Sequence, residues 1–153
     1  MNNFSELLDT DPKLSICVSL EPVIDNGEPL VWIRINSREL FCSKLMFGIT
    51  VDVELPLLDP FKIEIGMSDK KYNETLETAV IIRSLKIDDF EIIPNWTNLS
   101  EYQNERDINR PVSYMGYNGV WSLTVPEPFY RWRHVVTGQG WLLEPMLQKN
   151  NTR

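Results

Sequence analysis

From Leu14 onward, apolar and polar side chains alternate in short runs. Leu14, Ile16, Val18 and Leu20 fall on one side of the first run, with Ser15, Cys17 and Ser19 on the other. That is the period of a strand with one buried face. Asp25-Asn26-Gly27 interrupts it with residues that tolerate the backbone of a tight turn. Leu30–Ile35 resumes the pattern, and Asn36-Ser37 turns it into Arg38–Phe41, a hairpin in which Trp32 aligns with Leu30 and is expected in the core. Ile49–Leu55 alternates cleanly and stops at Pro56. Phe61–Met67, Thr78–Ile87, Phe90–Ile93, Val120–Val125 and Trp141–Pro145 follow. Trp121 shares its phase with Leu123 and Val125 and is expected to point inward.

Eight or nine strands at this spacing leave no room for the crossovers that parallel neighbours need, and no segment carries a strong helical period. The predicted fold is all-β: an antiparallel β-sandwich of jelly-roll type over residues 14–146. Residues 1–13 form an N-terminal arm, either flexible or folded as a short docking helix through Phe4, Leu7 and Leu8. Residues 147–153 are a polar tail. The Asn- and Glu-rich stretch from Asn95 to Pro111 lacks strand periodicity and is expected to be a long loop carrying function.

Charge narrows the partners. The chain of 153 residues has a net charge of −7 and a pI near 4.7, so a phosphate backbone is repelled and nucleic acid is not an expected partner. The densest basic cluster, Arg131, Arg133 and His134, is too small to reverse that sign. No apolar run reaches the length of a membrane span, and no membrane insertion is expected. No secretory signal is visible at the N-terminus, which places the protein inside a cell or in something released by lysis or assembly. Cys17 and Cys42 read as two buried free thiols or as one disulfide.

Catalysis is not expected. His134 is the sole histidine, and no nucleophile–base signature accompanies it. Two other constellations carry chemistry. The acidic loop after Met67 offers Ser68, Asp69, Asn73, Glu74, Thr75 and Glu77, oxygen donors of the kind calcium takes; a solvated acidic loop is the simpler reading and stands ahead of it. The second constellation is aromatic. Trp96, Tyr102, Tyr114, Tyr117, Tyr130 and Trp132 lie in or beside loops rich in Asn and Gln, a composition that suits a glycan platform or a protein interface. If the segment after Pro126 and Pro128 is extended, Arg131 and Arg133 share one side and add hydrogen bonds for a carboxylate-bearing sugar or an acidic partner. A rigid corner closing the sandwich is the alternative there.

Two stretches resemble known families. FKIEIGMSDKKYNETLETAVIIRSLKIDDFEI resembles the later strands of small calcium-dependent xylan-binding modules. The resemblance implies calcium ligands among Asp69, Asn73 and Glu77, although no paired Asp completes the set. MGYNGVWSLTVPEPFYRWRHVVTGQGWLLEP is similar to small β-sandwich virion proteins of tailed bacteriophages. Together they imply a non-catalytic structural or adhesive virion component, made in the host cytoplasm, that binds glycan through loop aromatics. Its expected partners are other virion proteins and further copies of itself. The alternative is an adaptor or decoration subunit whose aromatics form a protein interface, with no sugar site.

Overall fold

The computed structural model describes residues 12–106 and 110–138. The expected N-terminal arm, the strand at Trp141–Pro145 and the polar tail lie outside the described residues, apart from the arm's junction at Pro12 and Lys13.

Among the described residues, ten strands form two antiparallel sheets. They are β1 (Lys13–Ile24), β2 (Leu30–Ile35), β3 (Arg38–Lys44), β4 (Ile49–Pro56), β5 (Phe61–Ser68), β6 (Thr78–Ile87), β7 (Phe90–Ile93), β8 (Glu101–Asn104), β9 (Tyr114–Met115) and β10 (Gly119–Val125). One sheet has the order β4-β1-β6-β7, with β9 beside the start of β6 on the same edge as β7. The other has the order β3-β2-β5-β10-β8. The alternation read from the sequence supplies the inward faces: Leu14, Ile16, Val18 and Leu20 from β1 meet Ile63, Ile65, Leu123 and Trp121 of the opposite sheet in one hydrophobic cluster. Each fully buried aliphatic side chain of this kind contributes about 1.5–3 kcal/mol. The chain is a β-sandwich, as its pattern predicts.

Four expectations are corrected. Trp32 lies on the outer face of β2, half-buried, while Val31, Ile33 and Ile35 point inward. Both phases of that strand are apolar except at Arg34, and the phase that buried Trp32 would have buried the guanidinium too. The stretch from Asn95 to Pro111 contains β8, anchored by the single inward side chain Tyr102 and paired with β10. Cys17 and Cys42 are free, and Cys42 is exposed on edge strand β3, so neither a disulfide nor a pair of core thiols is present.

The fourth correction is the largest. Phe129–Thr137 is an α-helix, α1, and not an extended segment. An extended backbone would place Phe129 on the side of Arg131 and Arg133, opposite Trp132. A helical backbone brings Phe129 and Trp132, three residues apart, onto one stripe, and both are buried. Pro128 supplies the N-cap, and Gly138, with φ 71°, closes the helix by donating its N–H to the His134 carbonyl at 2.9 Å.

Candidate functional site

The site is best built from the end of β5. Asp69, with φ 64°, adopts the left-handed backbone that turns the chain sharply out of the strand. The turn sends Lys70 inward, and its side chain is only 4% exposed. Its Nζ donates to Glu77 Oε1 and to the Gly116 carbonyl, each at 2.5 Å. The backbone of Lys70 is held as well: its N–H donates to Asn118 Oδ1 at 2.9 Å, and its carbonyl accepts from Asn118 Nδ2 at 3.1 Å. One lysine therefore ties the β5–β6 loop to the β9–β10 loop.

Around this pin lies a cleft of about 670 Å³. Tyr72, Tyr114 and Tyr117 give it aromatic walls, and Asn73, Glu74, Glu77, Arg106 and Arg110 give it polar ones. Tyr72 and Tyr114 are 40% and 43% exposed, so ring surface faces the solvent. The Tyr72 and Tyr117 rings stand 6.0 Å apart at 43°. The Arg106 guanidinium lies 5.0 Å from the Tyr72 ring centre and 5.7 Å from that of Tyr117, and Lys70 Nζ lies 5.1 and 5.9 Å from the same two rings. The Tyr72 hydroxyl donates to Glu105, which also accepts from Asn118 Nδ2 at 3.0 Å.

Glu77 is the electrostatic centre of the wall. Burial alone pushes its carboxyl pKa up, but hydrogen bonds from Lys70 and Tyr114, the Lys70 charge and the Thr78 N–H together hold it below the ordinary value. Tyr114 donates to Glu77 Oε2 at 2.9 Å. Burial first, and the Glu77 carboxylate second, push its phenol up to about 12. Tyr72 moves in the same direction, through burial and then Glu105.

The aromatic residues singled out in the sequence divide between two places. Tyr114 and Tyr117 line the cleft. Tyr102 lines it too but is 3% exposed; its hydroxyl donates to the Tyr117 carbonyl and accepts from the Tyr117 N–H at 3.0 Å. It positions the wall and offers no open ring face. Trp96, Tyr130, Trp132 and Arg133 lie toward the other end of β6, where β7 pairs with it at Leu85–Ile87. There Trp96 stacks on Phe90, Phe90 meets Phe129, and Phe129 meets Tyr130 and Trp132. Arg133 covers Phe90 and Tyr130 at 5.1 and 4.9 Å, and the Tyr130 hydroxyl donates to Asp88. These residues fasten α1 to the sandwich. Arg131 is exposed and pairs with Glu127, four residues earlier and just before the helix, at 3.0 Å. The helix thus removes the shared Arg131–Arg133 face.

The residues expected to hold calcium do not converge. Asn73 Oδ1 accepts from the N–H groups of Thr75 and Leu76 at 2.9 and 3.0 Å, which folds its own turn. Glu77 is committed to Lys70, Tyr114 and Thr78, and Asp69 forms the turn out of β5. Among the described residues, no three His, Cys, Asp or Glu side chains are grouped to hold a metal ion. The donor set does not fit calcium.

Sequence reasoning missed Lys70, Tyr72 and Arg106. Tyr72 sits inside the loop that was read only for its oxygens, and an aromatic ring in such a loop was the available signal.

No protein-family model matches the chain, and no curated protein sequence matches it. Among solved structures, the chain is similar to the selenomethionine form of vCBM60, from work on two families of calcium-dependent carbohydrate-binding modules. The two share 13% identity over 73% of this chain and 91% of that one, with a TM-score of 0.52. A second structure, vCBM60 in complex with galactobiose, covers 72% of this chain and 97% of that one at 14% identity, with a TM-score of 0.49. The likeness is one of fold.

Proposed function

We propose that this chain is a non-catalytic, carbohydrate-binding β-sandwich that serves as a structural or adhesive part of a phage particle. The observation that carries the sugar reading is the cleft beside Lys70. Sugars present C–H faces that pack on aromatic rings and hydroxyls that need fixed donors and acceptors. Tyr72, Tyr114 and Tyr117 supply the rings, and Glu74, Asn73 and Arg106 supply polar groups beside them. Glu77 in the cleft wall is committed to hydrogen bonds with Lys70 and Tyr114, and Glu105 behind it to one with Tyr72, which disfavours acid–base work. The fold shared with a carbohydrate-binding module supports the same reading. Placement in a virion, with assembly in the host cytoplasm, rests on the resemblance of residues 115–145 to phage β-sandwich proteins.

The test is a glycan-array screen of the full chain beside its Tyr117→Ala variant. The Tyr117 backbone, which Tyr102 holds, survives that change. Loss of one packed ring is worth about 1–3 kcal/mol, or roughly ten- to a hundredfold in affinity. Retention of an oligosaccharide by the parent and its loss in the variant support the proposal; no retention by the parent refutes it.

A second reading, an adaptor or decoration subunit without a sugar site, has an observation of its own. Met46 and Phe47, adjacent in the β3–β4 loop, are 55% and 68% exposed, as contact residues of an assembly would be. A defined oligomer by light scattering that becomes monomeric in Phe47→Ser favours that reading.

A further inference from the structure

We infer that Lys70 is the resident cation of the cleft, an ammonium seated where a divalent ion would otherwise be held, so that the site is assembled without calcium. The argument starts from what calcium demands: six to eight oxygens at about 2.3–2.6 Å, drawn mainly from carboxylates and backbone carbonyls. Two such oxygens in the wall, Glu77 Oε1 and the Gly116 carbonyl, converge on one point. Lys70 Nζ already lies 2.5 Å from both. An ion at coordinating distance from that pair would overlap the ammonium and meet its positive charge. The seat is also closed from outside, since the Lys70 side chain is 4% exposed and the Tyr72 and Tyr117 rings stand beside it.

Among the described residues, the neighbouring carboxylates are not grouped to rebuild a site a step away. The Asn73 oxygen is spent on the N–H groups of Thr75 and Leu76. Glu74, which also lines the cleft, is one carboxylate where several are needed. The ammonium instead performs the task of a structural metal. It neutralises Glu77 and binds a carbonyl from a different loop, fixing the β5–β6 and β9–β10 loops that carry Tyr72 and Tyr117, with Tyr114 in the adjoining β9. A chelator cannot remove it. The inference is independent of what the cleft binds.

The test uses the intact chain and no sugar. After dialysis against EDTA, the protein is titrated with CaCl2 by calorimetry and melted with and without 10 mM CaCl2. The expected results are no saturable heat and a Tm change below about 1 °C. A resident site with a Kd near 10 μM would raise Tm by on the order of 10 °C at that concentration, and such a rise with saturable heat overturns the inference. Lys70→Met keeps the apolar stem and removes only the ammonium. Its Tm should fall by about 4 °C or more, equally with and without EDTA. An unchanged Tm would mean the ammonium holds nothing together, and the inference fails. Should the variant not fold, the calcium titration of the parent decides alone.

Discussion

Gly119 offers a sharp check on the packing that shapes the cleft. It stands at the start of β10, opposite Asn104 of β8 and Met67 of β5. A Cβ at this position would come 2.3 Å from the Gln103 carbonyl oxygen and 2.7 Å from both Cα and Cβ of Asn104. Those are mainly backbone atoms of the neighbouring strand, so no rotamer change relieves the overlap. β8 must move away from β10. Overpacking of this kind costs about 1–3 kcal/mol, and loss of a ladder hydrogen bond adds about 1 kcal/mol, so Gly119→Ala should cost roughly 2–4 kcal/mol. Gly66→Ala is the informative control. Its Cβ would approach Trp32 even more closely, at 1.9 Å from Cε2. There the obstacle is a side chain on the outer face, with Arg34 4.1 Å from the ring centre. The ring can swing aside for about 1 kcal/mol, the worth of the cation–π contact and some packing. Urea unfolding of the parent and both variants reads the difference as a shift in midpoint at constant slope. The reasoning is refuted if Gly119→Ala costs less than about 0.5 kcal/mol, or less than Gly66→Ala.

Four further variants extend the check. Tyr102→Phe should cost about 1–3 kcal/mol in the same assay, because the Tyr117 N–H and carbonyl both lose the hydroxyl that bridges them. Glu77 has a folded-state pKa below its unfolded value, so its contribution is complete above the ordinary value of 4.5 and is lost as pH falls through the lower folded value; Tm measured from pH 6 to pH 2 should fall less steeply in Glu77→Gln. Trp132→Ala should cost about 3–5 kcal/mol, since the ring is buried against Phe129, whereas Arg131→Ala should move Tm by less than about 2 °C because its pair with Glu127 is exposed.

The strands were legible wherever one phase of the alternation was clearly polar, as in β1, β4 and β10. Trp32 went astray because its strand is apolar in both phases, and only the cost of burying Arg34 separates them. β8 escaped notice because four residues with one inward tyrosine have no period to read; its register is imposed by β10. α1 was hidden for a different reason. Alternating aromatic and basic residues imitate a strand, and the deciding pair, Phe129 with Trp132, declares itself only once both find the same pocket beneath Phe90. The cleft was half legible. Tyr114 and Tyr117 stand out by composition, but the acidic loop shows its oxygens first, and nothing local marks Lys70 among them. Its role depends on Gly116, distant in the sequence and brought close by the pairing of β9 with β6 and of β10 with β5.

The central claim is that the cleft beside Lys70 is where a saccharide binds. Amide chemical-shift mapping tests it most directly, using the labelled chain, 2 mM EDTA and the oligosaccharide retained on the array. The account predicts shifts confined to Lys70–Glu77, Glu105, Arg106 and Tyr114–Asn118. Shifts concentrated on Phe129–Thr137 or on the outer face around Trp32, with the cleft silent, would contradict it.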